Sequence, residues 1–303
     1  VKPLTWFNSE PERRSVTFDG ASGSLQADLY VPNGDGPFEG LLLFLGVNPA
    51  GRDDTRVVNL ASGLARTGRV VMIPWSDDMA SKRIVVDEIH NLVYAFEYLA
   101  SLDFVATDRV GMAGFCVGAS FATVAAEDPR IADRVRYVNF FGGYYDALDL
   151  VKSVVTRTRS YEGVVQSWDP DPLAVEVVRV HLIAGVSDTN ERRLLEEVFL
   201  QGSSVTRDQV DDLSSSGKVV FDLLLGSEDV AIDHLIASLP LSVLESLRQI
   251  SPISGIDRLK AKLLIMHDRE DTLVPAYESR RLFDQVKGRG NVSYTEFSFF
   301  SHV

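Results

Sequence analysis

The stretch from Arg109 to Ala126 restricts this chain more than any other. Arg109-Val110-Gly111-Met112-Ala113 has the makeup of a buried strand. Ala119-Ser120-Phe121-Ala122-Thr123-Val124-Ala125-Ala126 has that of a buried helix. Only Gly114-Phe115-Cys116-Val117-Gly118 lies between them. A strand that turns into a helix this abruptly brings the positions two before and two after the bend against each other. Side chains would collide there, and both positions are glycine. The bend aims Cys116 at the start of the helix, where N–H groups without intrahelical partners favour an anion. That anion can be a thiolate or a developing oxyanion. Cys116 is the only cysteine of the chain. A lone cysteine is ordinarily a small buried hydrophobe, but at the apex of such a bend it reads as a nucleophile.

The rest of the pattern places this bend in a layered fold. Strands are expected over 16–18, 26–31, 40–45, 70–74, 135–141, 262–267 and 292–297, and helices over 55–67, 85–102 and 275–286. The run Gly40-Leu41-Leu42-Leu43-Phe44-Leu45 is unbroken and apolar, as in a central strand buried on both faces. The alternation predicts an α/β protein with a mostly parallel, doubly wound sheet. Between Tyr144 and Gly255 the rhythm changes. Residues 194–200 and 241–250 look helical, and Ser203-Ser204 and Ser214-Ser215-Ser216-Gly217 punctuate them. The expected division is a core in two parts, 1–145 and 256–303, with a helical cap inserted as 146–255. Trp168, Phe199, Leu200 and Leu223-Leu224-Leu225 would either roof a site or pack the cap's own interior, the commoner outcome.

A thiol needs a base for its proton and an acid to orient that base. Asp271 is the acid candidate. It lies in the loop after the strand ending at His267, at the carboxyl end of a parallel strand, where such sheets place ligands. Asp268 is the alternative in the same loop, and Asp146, after the sixth strand, in another. His302 is the base candidate, just past the last strand. Of the other four histidines, His90 sits on the 85–102 helix as a solvated or capping residue. His267 ends a strand with a structural hydrogen bond. His181 and His234 fall in the cap. The oxyanion donors are expected to be the N–H of Val117 and one from the loop after the strand ending near Leu45, with Val47 preferred over Leu45 and Gly46.

Together these features resemble the α/β-hydrolase superfamily, closest to the dienelactone hydrolase group. The resemblance rests on Gly114-Phe115-Cys116-Val117-Gly118, its Asp108-Arg109-Val110-Gly111 lead-in, the segment from His267 to Pro275, and His302. It covers about residues 15–145 and 256–303. It implies an α/β-hydrolase fold and a Cys116–Asp271–His302 triad acting on an ester, lactone or thioester. Three departures stand out. Dienelactone hydrolases carry a glutamate near the end of the third strand, and Leu41 to Val47 contains none. Their cap is smaller, and Ala119 stands where many relatives have a second glycine. The first two point away from dienelactone as the substrate. The bend also resembles that of polyhydroxyalkanoate synthases, which implies acyl transfer as one alternative. A non-catalytic scaffold that binds a ligand or partner is the other.

Composition narrows the partners. The formal net charge is -13, which disfavours nucleic acid and anionic membrane surfaces. No apolar run reaches the roughly 18 residues of a membrane helix. One cysteine allows no internal disulfide, and a cytoplasmic location is expected. No cluster has metal-ligand spacing and no phosphate loop occurs, so neither metal nor cofactor is expected. The expected partner is a small-molecule ester, lactone or thioester, and the oligomeric state is not encoded in any readable pattern. The chain opens on Val1 and closes one residue past His302, so the natural protein is expected to extend further at both ends.

Overall fold

The computed structural model describes residues 10–20, 23–226 and 229–298, with the backbone alone for 229–231. Ten strands occur among them: β1 (Glu12–Gly20), β2 (Gly23–Val31), β3 (Phe38–Phe44), β4 (Arg69–Pro74), β5 (Val105–Phe115), β6 (Val135–Phe141), β7 (Thr158–Tyr161), β8 (Val164–Ser167), β9 (Lys262–Asp268) and β10 (Val292–Phe297). Eight form one sheet in the order β1-β2-β4-β3-β5-β6-β9-β10, while β7 and β8 make a separate hairpin. The pairs β1·β2 and β2·β4 are antiparallel, and every other pair in the large sheet is parallel. β5, which delivers Cys116, therefore sits inside the sheet between β3 and β6.

The core helices are α1 (Thr55–Ala65), α2 (Asp77–Ala80), α3 (Asp87–Ser101) and α4 (Val117–Ala125). The parallel strands are covered on both faces, which explains their unbroken apolar runs: Val70, Val71, Met72 and Ile73 of β4 are fully buried. α3 turns Ile89, Leu92, Val93, Phe96 and Leu99 inward and leaves His90 in solvent. α4 differs. Eight of its nine residues are buried, because it is wedged between α3 and the strands β5 and β6. A helix apolar all round is expected in such a place.

Between β6 and β9 the chain runs through α5 (Ala147–Thr156), β7, β8, α6 (Pro172–Ala184), α7 (Thr189–Phe199), α8 (Arg207–Asp211), α9 (Ser215–Leu225), α10 (Asp229–Ala237) and α11 (Leu241–Gln249). α12 (Ala276–Val286) then packs on β9. The serine run 214–216 does not act as a linker. Ser214 caps α9, its Oγ accepting the Gly217 N–H at 3.1 Å, so the run starts a helix. Phe199 and Phe221 meet edge to face with centroids 5.4 Å apart, and Leu223 is buried, whereas Leu200 and Leu225 face solvent. Phe199, Phe221 and Leu223 pack the interior of the segment between β6 and β9. Its face towards Cys116 comes mainly from α5 and α6, which sequence patterning did not single out, with Leu247 and Ile250 added at the end of α11.

Candidate active site

Cys116 stands between the last residue of β5 and the first of α4, with φ 52° and ψ -132°. Such a conformation costs a non-glycine residue about 1–3 kcal/mol. The surroundings impose it. The Cys116 N–H donates to the Phe141 carbonyl at 3.0 Å, and its own carbonyl accepts from the Ala119 N–H at 2.9 Å. A Cβ at Gly114 would lie 2.2 Å from the Gly118 oxygen. One at Gly118 would lie 2.3 Å from the Phe44 oxygen and 2.7 Å from the Gly46 nitrogen. The collision across the bend expected from sequence is thus present. Gly46 has φ +72°, and a Cβ there would come 2.6 Å from the Gly118 nitrogen. Its close approach is to the backbone of α4.

This contact lays the loop after β3 directly against the first turn of α4. Val117, the first residue of α4, has an N–H with no partner inside the helix. Val47 follows Gly46 in the loop. Farther along, Arg52 anchors the loop to the sheet: its Nη2 donates to Asp28 Oδ1 at 2.9 Å. Asp28 is fully buried on β2 and also receives Arg13 at 2.7 Å, the Ser15 hydroxyl at 2.8 Å and the Trp75 ring N–H at 3.1 Å. Removing either arginine would leave a buried carboxylate short of partners, which is costly.

Half-buried Cys116 lies in the wall of a cavity of about 110 Å³. Leu45, Val47, Phe115, Val117 and Tyr144 line it near the thiol, and Ala147, Val151, Ala174 and Val178 of α5 and α6 line it farther out. The lining is almost wholly aliphatic. Tyr144 is buried, its hydroxyl donates to the Ile250 carbonyl at 3.2 Å, and burial pushes its pKa well above the usual phenol value, so it stays neutral. Ser120 of α4 donates to the Tyr144 carbonyl at 2.7 Å and accepts its N–H at 3.0 Å, which fixes this wall to the bend.

Asp271 is buried in the loop after β9. Its Oδ1 accepts the N–H groups of Leu273 and Val274 at 2.7 and 3.0 Å, and its carbonyl accepts the Trp168 ring N–H at 3.0 Å. Leu273 and Val274, the residues it holds, line the cavity with Cys116. His267 lies 3.4 Å from Asp271 Oδ2 but is committed elsewhere: Nε2–H donates to the Val274 carbonyl at 3.0 Å, and Nδ1 meets Ser279 Oγ at 2.6 Å. It is the structural histidine expected from sequence. Asp268 Oδ1 accepts the Glu270 N–H at 2.9 Å. Asp146 caps α5, accepting the Leu148 N–H at 2.9 Å, and burial raises its pKa. His234 is exposed. His302 lies outside the described residues. The structure thus brings Cys116, Val117, Val47 and the loop of Asp271 to one cavity.

Among the described residues, the histidine that lines this cavity is His181 of α6, which was set aside as part of the cap. It is half-buried, hydrogen-bonds the backbone of Ile84, and its Nε2 meets Ser246 Oγ of α11 at 3.3 Å. Withdrawal from water lowers its pKa, and the bond to Ile84 partly offsets this. The only hint in the sequence is its place in a helix apolar on nearly every side. Among the described residues no cluster of histidine, cysteine, aspartate and glutamate could hold a metal ion. No helix among them is long and apolar enough to cross a membrane.

A model of the dienelactone hydrolase family matches residues 66–161, the part that carries the bend. No curated protein sequence matches the chain significantly. Among solved structures it is similar to the acylaminoacyl peptidase of Pyrococcus horikoshii, at 14% identity and TM-score 0.56, over 99% of this chain and 39% of that one. It is similar to an esterase of Pyrobaculum calidifontis at 14% identity and TM-score 0.53, over 99% and 81%. A puromycin-hydrolyzing peptidase of Mycobacterium tuberculosis gives 15% identity and TM-score 0.57, over 97% and 36%. The chain thus spans well under half the length of the two peptidases. At these identities the likeness is one of fold, and that fold is the α/β-hydrolase fold. With the family match, it supports a hydrolase.

Proposed function

We propose that the protein cleaves carboxylic ester, lactone or thioester bonds with Cys116 as nucleophile, Asp271 and His302 as its partners, and the segment 146–255 as a cap over the site. The observation that carries this reading is the placement of Cys116: strained, at the N-terminus of α4, in the wall of an apolar cavity. His302 takes the Sγ proton while Asp271 holds the imidazole in its working tautomer. The thiolate attacks the carbonyl carbon. The oxyanion is received by the N–H of Val117 and that of Val47, each contributing about 2.7–4 kcal/mol. The tetrahedral species collapses, the bond to the leaving group breaks, and the leaving group takes the proton from the imidazolium. Water then attacks the acyl thioester, giving its proton to His302, and the acid departs as the cysteine is regenerated.

The test is a short nitrophenyl ester. A burst of nitrophenol should accompany an acyl mass on Cys116, and Cys116→Ala should show neither. Unchanged turnover in Cys116→Ala, with no adduct in the parent, would remove the mechanism. The same assay with added alcohol separates hydrolysis from acyl transfer.

A further inference from the structure

The cavity at Cys116 shares two wall residues, Ile84 and His181, with a groove of about 600 Å³ on the outer surface. The two sides of this partition differ in chemistry. The inner side is aliphatic. The outer side carries Arg83, Arg192 and Arg193 against one carboxylate, Glu196. In a chain of net charge -13, three arginines lining one groove are a local concentration of positive side chains. We propose that the groove binds the phosphate-bearing leaving group of an acyl thioester, whose carbonyl reaches Cys116 past Ile84 and His181 and whose acyl chain fills the cavity. The inference rests on Cys116 being the nucleophile.

Three observations support it. First, the arginines are lightly held. Arg83 pairs with Asp78 at 2.9 Å, Arg193 with Glu197 at 4.0 Å, and Arg192 donates to Thr189 Oγ1 at 3.2 Å. Surface pairs of this kind contribute little and can be exchanged for a phosphate, whose oxygens match the guanidinium fork. Second, the cavity offers no lysine or arginine to a charged group. An anionic part of a substrate must therefore remain outside the partition, and the apolar part inside. Third, Ile84 and His181 line both the cavity and the groove, so a single layer of residues separates them. His181 bonds to Ile84 and Ser246, and beside it Lys82 Nζ pairs with Glu176 of α6 at 2.7 Å. The overall negative charge disfavours an acidic carrier protein as donor, so the leaving group is that of a small molecule.

The reaction is that of the proposed function: Sγ takes the acyl group, the carbon–sulfur bond to the leaving thiol breaks, and that thiol departs protonated. The test compares butyryl-coenzyme A with the neutral S-butyryl-N-acetylcysteamine, using the parent and an Arg83→Ala/Arg192→Ala/Arg193→Ala variant whose folding is checked by circular dichroism. The variant should raise KM for the coenzyme A thioester about tenfold or more, as expected when charge-assisted phosphate contacts are lost. Its kcat should change little, and the neutral thioester should be unaffected. Added salt should weaken the parent towards the coenzyme A thioester alone. Equal effects on both thioesters, or none on either, overturn the groove assignment while a Cys116→Ala loss keeps the nucleophile. Turnover of both thioesters by Cys116→Ala would remove the underlying reading instead.

Discussion

At the scale of single residues, the bend is held by backbone that leaves no room for a methyl group. Gly118 is the sharpest case, because its Cβ would meet two fixed backbone atoms, the Phe44 oxygen and the Gly46 nitrogen, rather than a side chain that can swing away. Gly118→Ala should therefore destabilise the protein by about 2 kcal/mol or more and displace the loop of Val47. Urea denaturation and the rate of alkylation of Cys116 would register the two effects, and an alanine variant with parental stability and reactivity would contradict the packing described. Gly114, Cys116, Val117 and Gly118 were legible in the sequence because the constraint is local: five consecutive residues must make the turn. The packing role of Gly46 was not legible in the same way. Its neighbour is the backbone of Gly118, 72 positions away, and that proximity exists only once β3 and β5 are paired. His181 was not legible as a cavity residue, since nothing local says which way α6 faces.

At the scale of elements, the core strands and helices follow from alternation, but the inserted segment does not. α6 reads Pro-Leu-Ala-Val-Glu-Val-Val-Arg-Val-His-Leu-Ile-Ala, rich in β-branched residues and apolar on most faces, so helical periodicity is blurred. Its start is set by Pro172 at the first position and by Asp171, whose Oδ1 accepts the Leu173 N–H at 2.8 Å. Where the segment returns to the core, Glu127, just beyond α4, meets Arg258 at 3.0 Å and packs against Gly255. Its side chain is 2% exposed and its Oε1 has no hydrogen-bond partner. Burial pushes its pKa up to about 8 despite Arg258 and Arg289 nearby. The folded state therefore holds a proton that the unfolded chain releases near 4.5. The associated stability is present below that value and is lost as pH rises through about 8, a change of a few kcal/mol. Glu127→Gln, which keeps the shape without the charge, should flatten this decline. Thermal melts from pH 5 to 9 should show a smaller loss in the variant, and parallel curves would exclude Glu127 as the source.

At the scale of the whole molecule, the cavity lies where the sheet and the inserted helices meet, and His181 ties α6 and α11 to the loop before α3 at that seam. The ring bonds the Ile84 backbone, and its Nε2 meets Ser246 Oγ, whose own hydroxyl donates to the Val243 carbonyl at 2.9 Å. The pKa is lowered in the folded state from 6.5. The unfolded chain therefore binds this proton more readily, and stability rises with pH across the interval between the two values. Acidification below about 6.5 should thus weaken the seam before it weakens β4 and β5, whose buried residues carry no titratable side chain. Hydrogen exchange compared at pH 7.5 and 5 should show α6 and α11 losing protection at the lower pH while β4 and β5 keep theirs. His181→Gln retains a donor and an acceptor without a titrating ring, and its α6 protection should be the same at both pH values. If α6 and β5 lose protection together in the parent, or if His181→Gln remains as acid-sensitive as the parent, the seam is held by something other than this imidazole.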